Sequence, residues 1–179
     1  MTGTNQGFAL LDAIQIYFHG EKIEALVFIL PIGLLSLVFG LWLLTDNPTN
    51  FTKGVAIPFL LMGLLMTTVG GVVGYRTPSQ VSGVVKAIEA DPRAGVQAEI
   101  QRMTKVNSAW HLYLVMWGLF GFAGLLMRFG TSSEFLRGMG IALVFIAGVG
   151  LLVDGFAERR THPYVDALEG RTLAPETPQ

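Results

Sequence analysis

Gly138-Met-Gly-Ile-Ala-Leu-Val-Phe-Ile-Ala-Gly-Val-Gly-Leu-Leu-Val153 carries no charge, and Asp154-Gly-Phe-Ala-Glu-Arg-Arg-Thr-His-Pro163 follows it without a spacer. An apolar run that ends so abruptly reads as a helix leaving hydrocarbon for water. Taken back to Phe135, the run reaches the length needed to cross about 30 Å of bilayer core at about 1.5 Å per residue. Three other stretches have the same character, Ala25–Leu44, Val55–Val73 and Ala109–Met127. The first two carry no charge and the third only His111. In the Phe135–Val153 stretch, Arg137 stands near the start, where its long side chain snorkels to the headgroups. The sequence therefore predicts an all-α integral membrane fold with four spans, over residues 25–44, 55–73, 109–127 and 135–153.

Much of the closing pattern occurs 84 positions upstream. Phe51, Gly54, Ile57, Val69, Gly71, Arg76, Thr77 and Val81 match Phe135, Gly138, Ile141, Val153, Gly155, Arg160, Thr161 and Val165. Apolar helices resemble one another by composition, so the weight lies on Gly54/Gly138, Arg76/Arg160 and Thr77/Thr161, which mark helix start and exit in both copies. Pro78 and Pro163 follow closely. The connections Thr45–Thr52 and Gly130–Glu134 are short and turn-rich, so each joins antiparallel neighbours. The expectation is two tandem hairpins produced by internal duplication and related by a pseudo-two-fold along the membrane normal. The copies differ at one place. Gly70 and Gly74 form a small-residue step suited to close helix contact, whereas Asp154 and Glu158 stand at the matching positions.

The composition agrees with this class: 51% of the 179 residues are hydrophobic and 14% charged, too unbalanced for a soluble domain. The absence of cysteine excludes disulfides and thiolate metal sites. A net charge of −1 gives nucleic acid no purchase. The N-terminus lacks the basic start and cleavage site of a secretory signal, and Asp12 interrupts its short apolar run. Near the span ends, Lys22, Arg76, Lys86, Arg93, Arg102, Lys105, Arg159, Arg160 and Arg171 share one side, against Lys53, Arg128 and Arg137 on the other. This asymmetry predicts a multi-pass protein of a bacterial inner membrane with both termini and the central loop in the cytoplasm.

Outside the spans, Asp12, Gln15, His19 and Lys22 line up as one polar stripe on an apolar helix. Residues 8–19 therefore read as an interfacial helix, with Gly20 favouring a break before the first span. Pro31 lies deep enough in that span to kink it. The polar segment 76–107 reads as helical, with Val81, Val84, Val85 and Ile88 on one face. Asp91-Pro92 then caps a helix carrying Val96, Ile100, Met103 and Val106 on one stripe toward the third span. Residues 1–7 read as frayed, residues 1–170 as a single membrane domain, and 171–179 as a disordered tail.

Candidate chemistry gathers where the spans end. Asp154 and Glu158 share a helix face and repel, so a cation from Arg76, Lys22, Lys105 or Arg159 is expected beside them. Candidate catalytic residues are Asp154, Glu158, His111 and Glu24. Candidate ligands for a divalent metal are His19, His111, Asp154, Glu158 and His162, with Glu21 and Glu24 near them, although no HExxH, ExxH or HxxxH spacing supports the set. Histidine, tyrosine and tryptophan also gather at membrane interfaces for purely solvation reasons, which accounts for Tyr17, Tyr75, Trp110, Tyr113 and Tyr164. No lysine lies within a span for retinal, no facing histidine pair serves haem, and mid-span polarity is limited to Ser36, Thr67 and Thr68. Smooth glycine faces in the third and fourth spans favour a homo-oligomer or a larger membrane complex, and bound lipid is the expected companion. The reading is a small non-catalytic membrane protein that self-assembles or docks a partner through its cytoplasmic helical face. Its rival is an interfacial enzyme or a metal- or proton-dependent device.

Overall fold

The computed structural model describes the backbone of residues 2–172 and the side chains of residues 9–170. It is all-helical: α1 (Thr2–Ile23), a π-helical turn (Glu24–Ile29), α2 (Leu30–Thr45), α3 (Asn50–Ala90), α4 (Pro92–Phe129) and α5 (Glu134–Thr172). Four helices are long and apolar enough to cross a membrane, the first being α1 and α2 joined through the π turn. α3 alone has 41 residues, about 60 Å at 1.5 Å per residue and thus about twice the hydrocarbon thickness. Each of these helices has an apolar half and a polar half. The polar halves meet at one end of the bundle.

The two halves are packed by different physics. In the most apolar windows only 11–33% of residues are buried, so Leu34, Leu35, Val38, Leu61, Leu64, Leu112, Leu119 and Leu152 face outward. A lipid solvent offers no hydrophobic gain for burying them, and the helices approach instead through small residues. Gly33 lies against the backbone of Gly63 and Thr67, and Gly124 and Gly140 meet each other's carbonyls. At the α3–α5 crossing Gly54 touches the carbonyl of Phe135 while Gly138 touches that of Phe51. In the polar half the core is built of large side chains: Leu10, Ile14, Tyr17, Phe18, Ile88, Val96, Met103, Tyr164 and Leu168. There water drives burial, at about 1.5–3 kcal/mol per large apolar side chain.

The contacts keep the 84-residue offset. Gly40 of α2 abuts Leu60 and the Ala56 carbonyl, while Gly124 of α4 abuts Val144 and the Gly140 carbonyl. Thr77 and Thr161 are both buried. Arg76 and Arg160 both reach glutamates of the first helical rod, Glu21 and Glu24 respectively. The most extensive contacts are α4 with α5, α2 with α3, and α3 with α5.

Several local expectations are revised. No break falls at Gly20; α1 continues into the π turn, and Gly20 leaves room for the Arg160 stem, which a Cβ would meet at 2.6 Å. The irregularity comes instead just before Pro31. Leu30 N–H donates to the carbonyl of Ala25, five residues back, and this wider turn precedes the proline that brings no N–H of its own. Gly70 and Gly74 bring α3 onto this turn, against Ala25, Leu26 and Leu30. The exits at Arg76 and Arg160 are not helix ends either, since α3 passes through Pro78 and α5 through Pro163. A proline removes one backbone bond, and neighbouring Thr77, Tyr164 and Leu168 are buried and hold their helices in place. Helix begins at Thr2, within the stretch 1–7 read as frayed; Met1 lies outside the described residues. Of the tail 171–179, Arg171 and Thr172 complete α5 and residues 173–179 lie outside the described residues.

The α3–α4 turn is as tight as Asp91-Pro92 implies. The Asp91 carboxylate accepts from the backbone N–H of Arg93 and Ala94, both at 3.0 Å, and Pro92 takes the first helical position. Gly95 lets α4 fold back against the backbone of Ala87 and Ile88. Asp91→Ala is expected to cost about 1 kcal/mol and to fray the first turn of α4, read as faster amide exchange at Arg93 and Ala94 with the four spans unaffected.

Candidate functional site at the junction of the two halves

Glu99 is the centre of the polar half. It lies on the stripe that includes Val96 and Met103, and is 4% exposed. A buried carboxylate needs partners for its oxygens. Arg102, one turn on, supplies two, from Nε at 2.9 Å and Nη2 at 2.7 Å, and the Tyr164 hydroxyl donates at 2.7 Å from α5. The Tyr164 ring stacks on Tyr17 of α1 at 4.4 Å, and the Arg102 guanidinium lies over Phe18 at 5.4 Å. One carboxylate thereby ties α4 to α5 and, through the rings, to α1.

Toward the apolar half this cluster opens into a cleft of about 760 Å³ bounded by α1, the π turn, α3, α4 and α5. Its polar end carries Glu21, Glu24, Arg76, Arg102, Lys105 and Arg160. Arg160 bonds Glu24 at 2.5 Å, and Arg76 reaches Glu21 at 3.6 Å. Farther along come Trp110, Tyr113 and the pair Trp117–Asp154, in which the indole N–H donates to the carboxylate at 2.6 Å. Gly150 makes room for the Trp117 ring. The far end is lined by Met62, Leu65, Met66 and Met116.

The residues singled out from sequence are dispersed. Asp154 and Glu24 line the cleft, but Asp154 is held by an indole rather than the expected cation, and Glu24 by Arg160. No ion pair reaches Asp154 or Glu158 among the described residues. His19, His111 and His162 are all exposed. Among the described residues no three of histidine, aspartate and glutamate come together as a metal site. The charged groups of the cleft pair mainly with one another, Arg160 with Glu24 and Arg76 with Glu21, while Glu21 Oε2 and Arg160 Nε are buried without a hydrogen-bond partner among the described residues.

Glu99 and Trp117 of this candidate site were not singled out from sequence, and Arg102 and Tyr164 were noted only as a span-end cation and an interfacial aromatic. For Glu99 the signal was present, because a charge three residues after Val96 and four before Met103 interrupts an apolar stripe. Trp117 and Asp154 are 37 positions apart and only tertiary packing pairs them. No family model, no curated protein and no solved structure matches this chain.

Proposed function

We propose that this chain is a non-catalytic integral membrane protein whose polar helical half stands in the cytoplasm and docks a second copy or a partner protein. The observation that carries this reading is the polar half itself. It prolongs every span as continuous helix, closes its interior with the Glu99–Arg102–Tyr164 cluster, and leaves Lys86, Gln97 and Ala98 exposed near its apex. A helical projection whose central carboxylate is fully engaged by Arg102 and Tyr164 supports recognition rather than turnover.

The basic asymmetry at the span ends supports a bacterial inner membrane with both termini inside. The reciprocal contacts of Gly54 and Gly138, and of Gly40 and Gly124, support two tandem hairpins of duplicated origin. Gly118 and Gly148 meet nothing within 4 Å, so smooth faces remain for a neighbouring copy within the lipid.

The test places a photoactivatable cross-linker at Gln97 or Lys86 in native membranes, with Leu119 as a lipid-facing control. An adduct of discrete mass from the apex positions, absent from Leu119, is the expected result. Failure of every apex position to capture a protein sinks the docking reading. The enzymatic rival is tested by Asp154→Asn with Glu158→Gln. We expect that double variant to fold and to give the same adducts; loss of the adducts with the fold intact shifts the function to the carboxylates.

A further inference from the structure

We propose that the junction cleft is a binding site for one phospholipid molecule drawn from the surrounding bilayer, its phosphate at the basic end and an acyl chain along the methionine-lined end. This goes beyond the docking reading and does not rest on it.

The argument begins with the order of the lining residues. On α4 the cleft wall runs from Arg102 and Lys105 through Trp110 and Tyr113 to Met116 and Trp117. From Lys105 to Trp117 the helix rises about 18 Å, the length of an acyl chain with its glycerol. On α3 the same sequence runs from Arg76 through Val73 and Val69 to Met66 and Met62. Both walls pass from cationic to apolar in the same direction, which is the polarity gradient of a lipid standing in its leaflet.

Charge then selects the headgroup. The polar end presents Arg76, Arg102, Lys105 and Arg160 against Glu21 and Glu24. Arg160 and Arg76 are engaged by those two glutamates and Arg102 by Glu99, while Lys105 is exposed and bears no ion pair among the described residues. The Lys105 ammonium is therefore the cation left to take a phosphate, and a guanidinium already paired with one carboxylate still has N–H groups for a second acceptor.

Access decides between a lipid and a soluble phosphate compound. α4 packs mainly along α5, with much less contact to α3 and next to none with α1 and α2, and the cleft among them is partly open rather than enclosed. A guest with a hydrocarbon chain enters by that route from the bilayer, and the apolar end of the cleft has a use only for such a guest.

The test uses the full chain in a neutral detergent, carrying Trp42→Phe so that only Trp110 and Trp117, both in the cleft wall, report. Phosphatidylglycerol with brominated chains is titrated in. Quenching is expected to saturate at one lipid per chain. Brominated diacylglycerol, which lacks the phosphate, should quench only weakly and without saturation. Lys105→Glu, a substitution at an exposed position, should weaken the apparent affinity about tenfold, and Lys105→Arg should retain it. Equal quenching by both lipids, or an affinity indifferent to Lys105→Glu, overturns the proposal. Competition by millimolar inorganic phosphate as effective as that by unbrominated lipid also overturns it, by making the guest a soluble anion.

Discussion

Glu99→Ala is expected to destabilise the polar half by about 3 kcal/mol, the low end of the range for breaking a buried ion pair. The low end applies because Arg102 is 30% exposed at its side chain and turns its guanidinium partly to water once released. Three hydrogen bonds end on this carboxylate, and its removal also leaves the Tyr164 hydroxyl, inside a ring stack, without an acceptor. The loss should be read as a lower unfolding midpoint in a denaturing-detergent titration followed by circular dichroism. A second variant separates the carboxylate from the volume it fills. Glu99→Met combined with Arg102→Met replaces both charges by apolar chains of similar length, and should recover part of the loss because no buried charge is left unpaired, the Tyr164 hydroxyl still lacking its acceptor. If Glu99→Ala costs less than about 0.5 kcal/mol, the range of an ordinary surface substitution, the carboxylate does not hold the three helices together.

What could be read from the chain, and what could not, follows from the range over which each signal acts. The apolar runs were legible because crossing a bilayer is a demand on composition within one helix, and Val55–Val73 or Ala109–Met127 meets it locally. The Asp91-Pro92 cap was legible for the same reason. Helix beyond Arg76 was legible from the Val81–Ile88 stripe, but unbroken continuity through Pro78 and Pro163 was not, since it depends on the packing of buried Thr77 and Tyr164. Tyr17 and Tyr164 were noticed as interfacial aromatics. Their stacking and their link to Glu99 depend on α1 lying against α5, which no periodicity announces. His19, His111 and His162 are exposed and do not line the junction cleft, an outcome of helix orientation that their positions near the span ends could not announce. The cleft itself is bounded by residues of α1, the π turn, α3, α4 and α5, a property of how the helices are assembled rather than of any one stretch.

Gly54 and Gly138 allow the second large prediction. A Cβ on either residue enters the space of a backbone carbonyl on the opposite helix, Phe135 for the first and Phe51 for the second. Backbone cannot change rotamer, so Gly138→Leu must push α3 and α5 apart along their crossing, at an expected cost of about 3 kcal/mol, the upper end of overpacking effects. In lipid nothing offsets this, because the leucine gains no transfer energy from a neighbour it could equally find in an acyl chain. Gly148→Leu on the same helix is the control, since a Cβ there meets nothing within 4 Å, and it should change monomer stability by less than about 0.5 kcal/mol. The pair at the crossing should also be non-additive: once Gly138→Leu has parted the helices, Gly54→Ala removes a contact already lost and costs less than it does alone. Additive losses, or a Gly138→Leu chain as stable as Gly148→Leu, would mean that the α3–α5 crossing is not held at glycine distance.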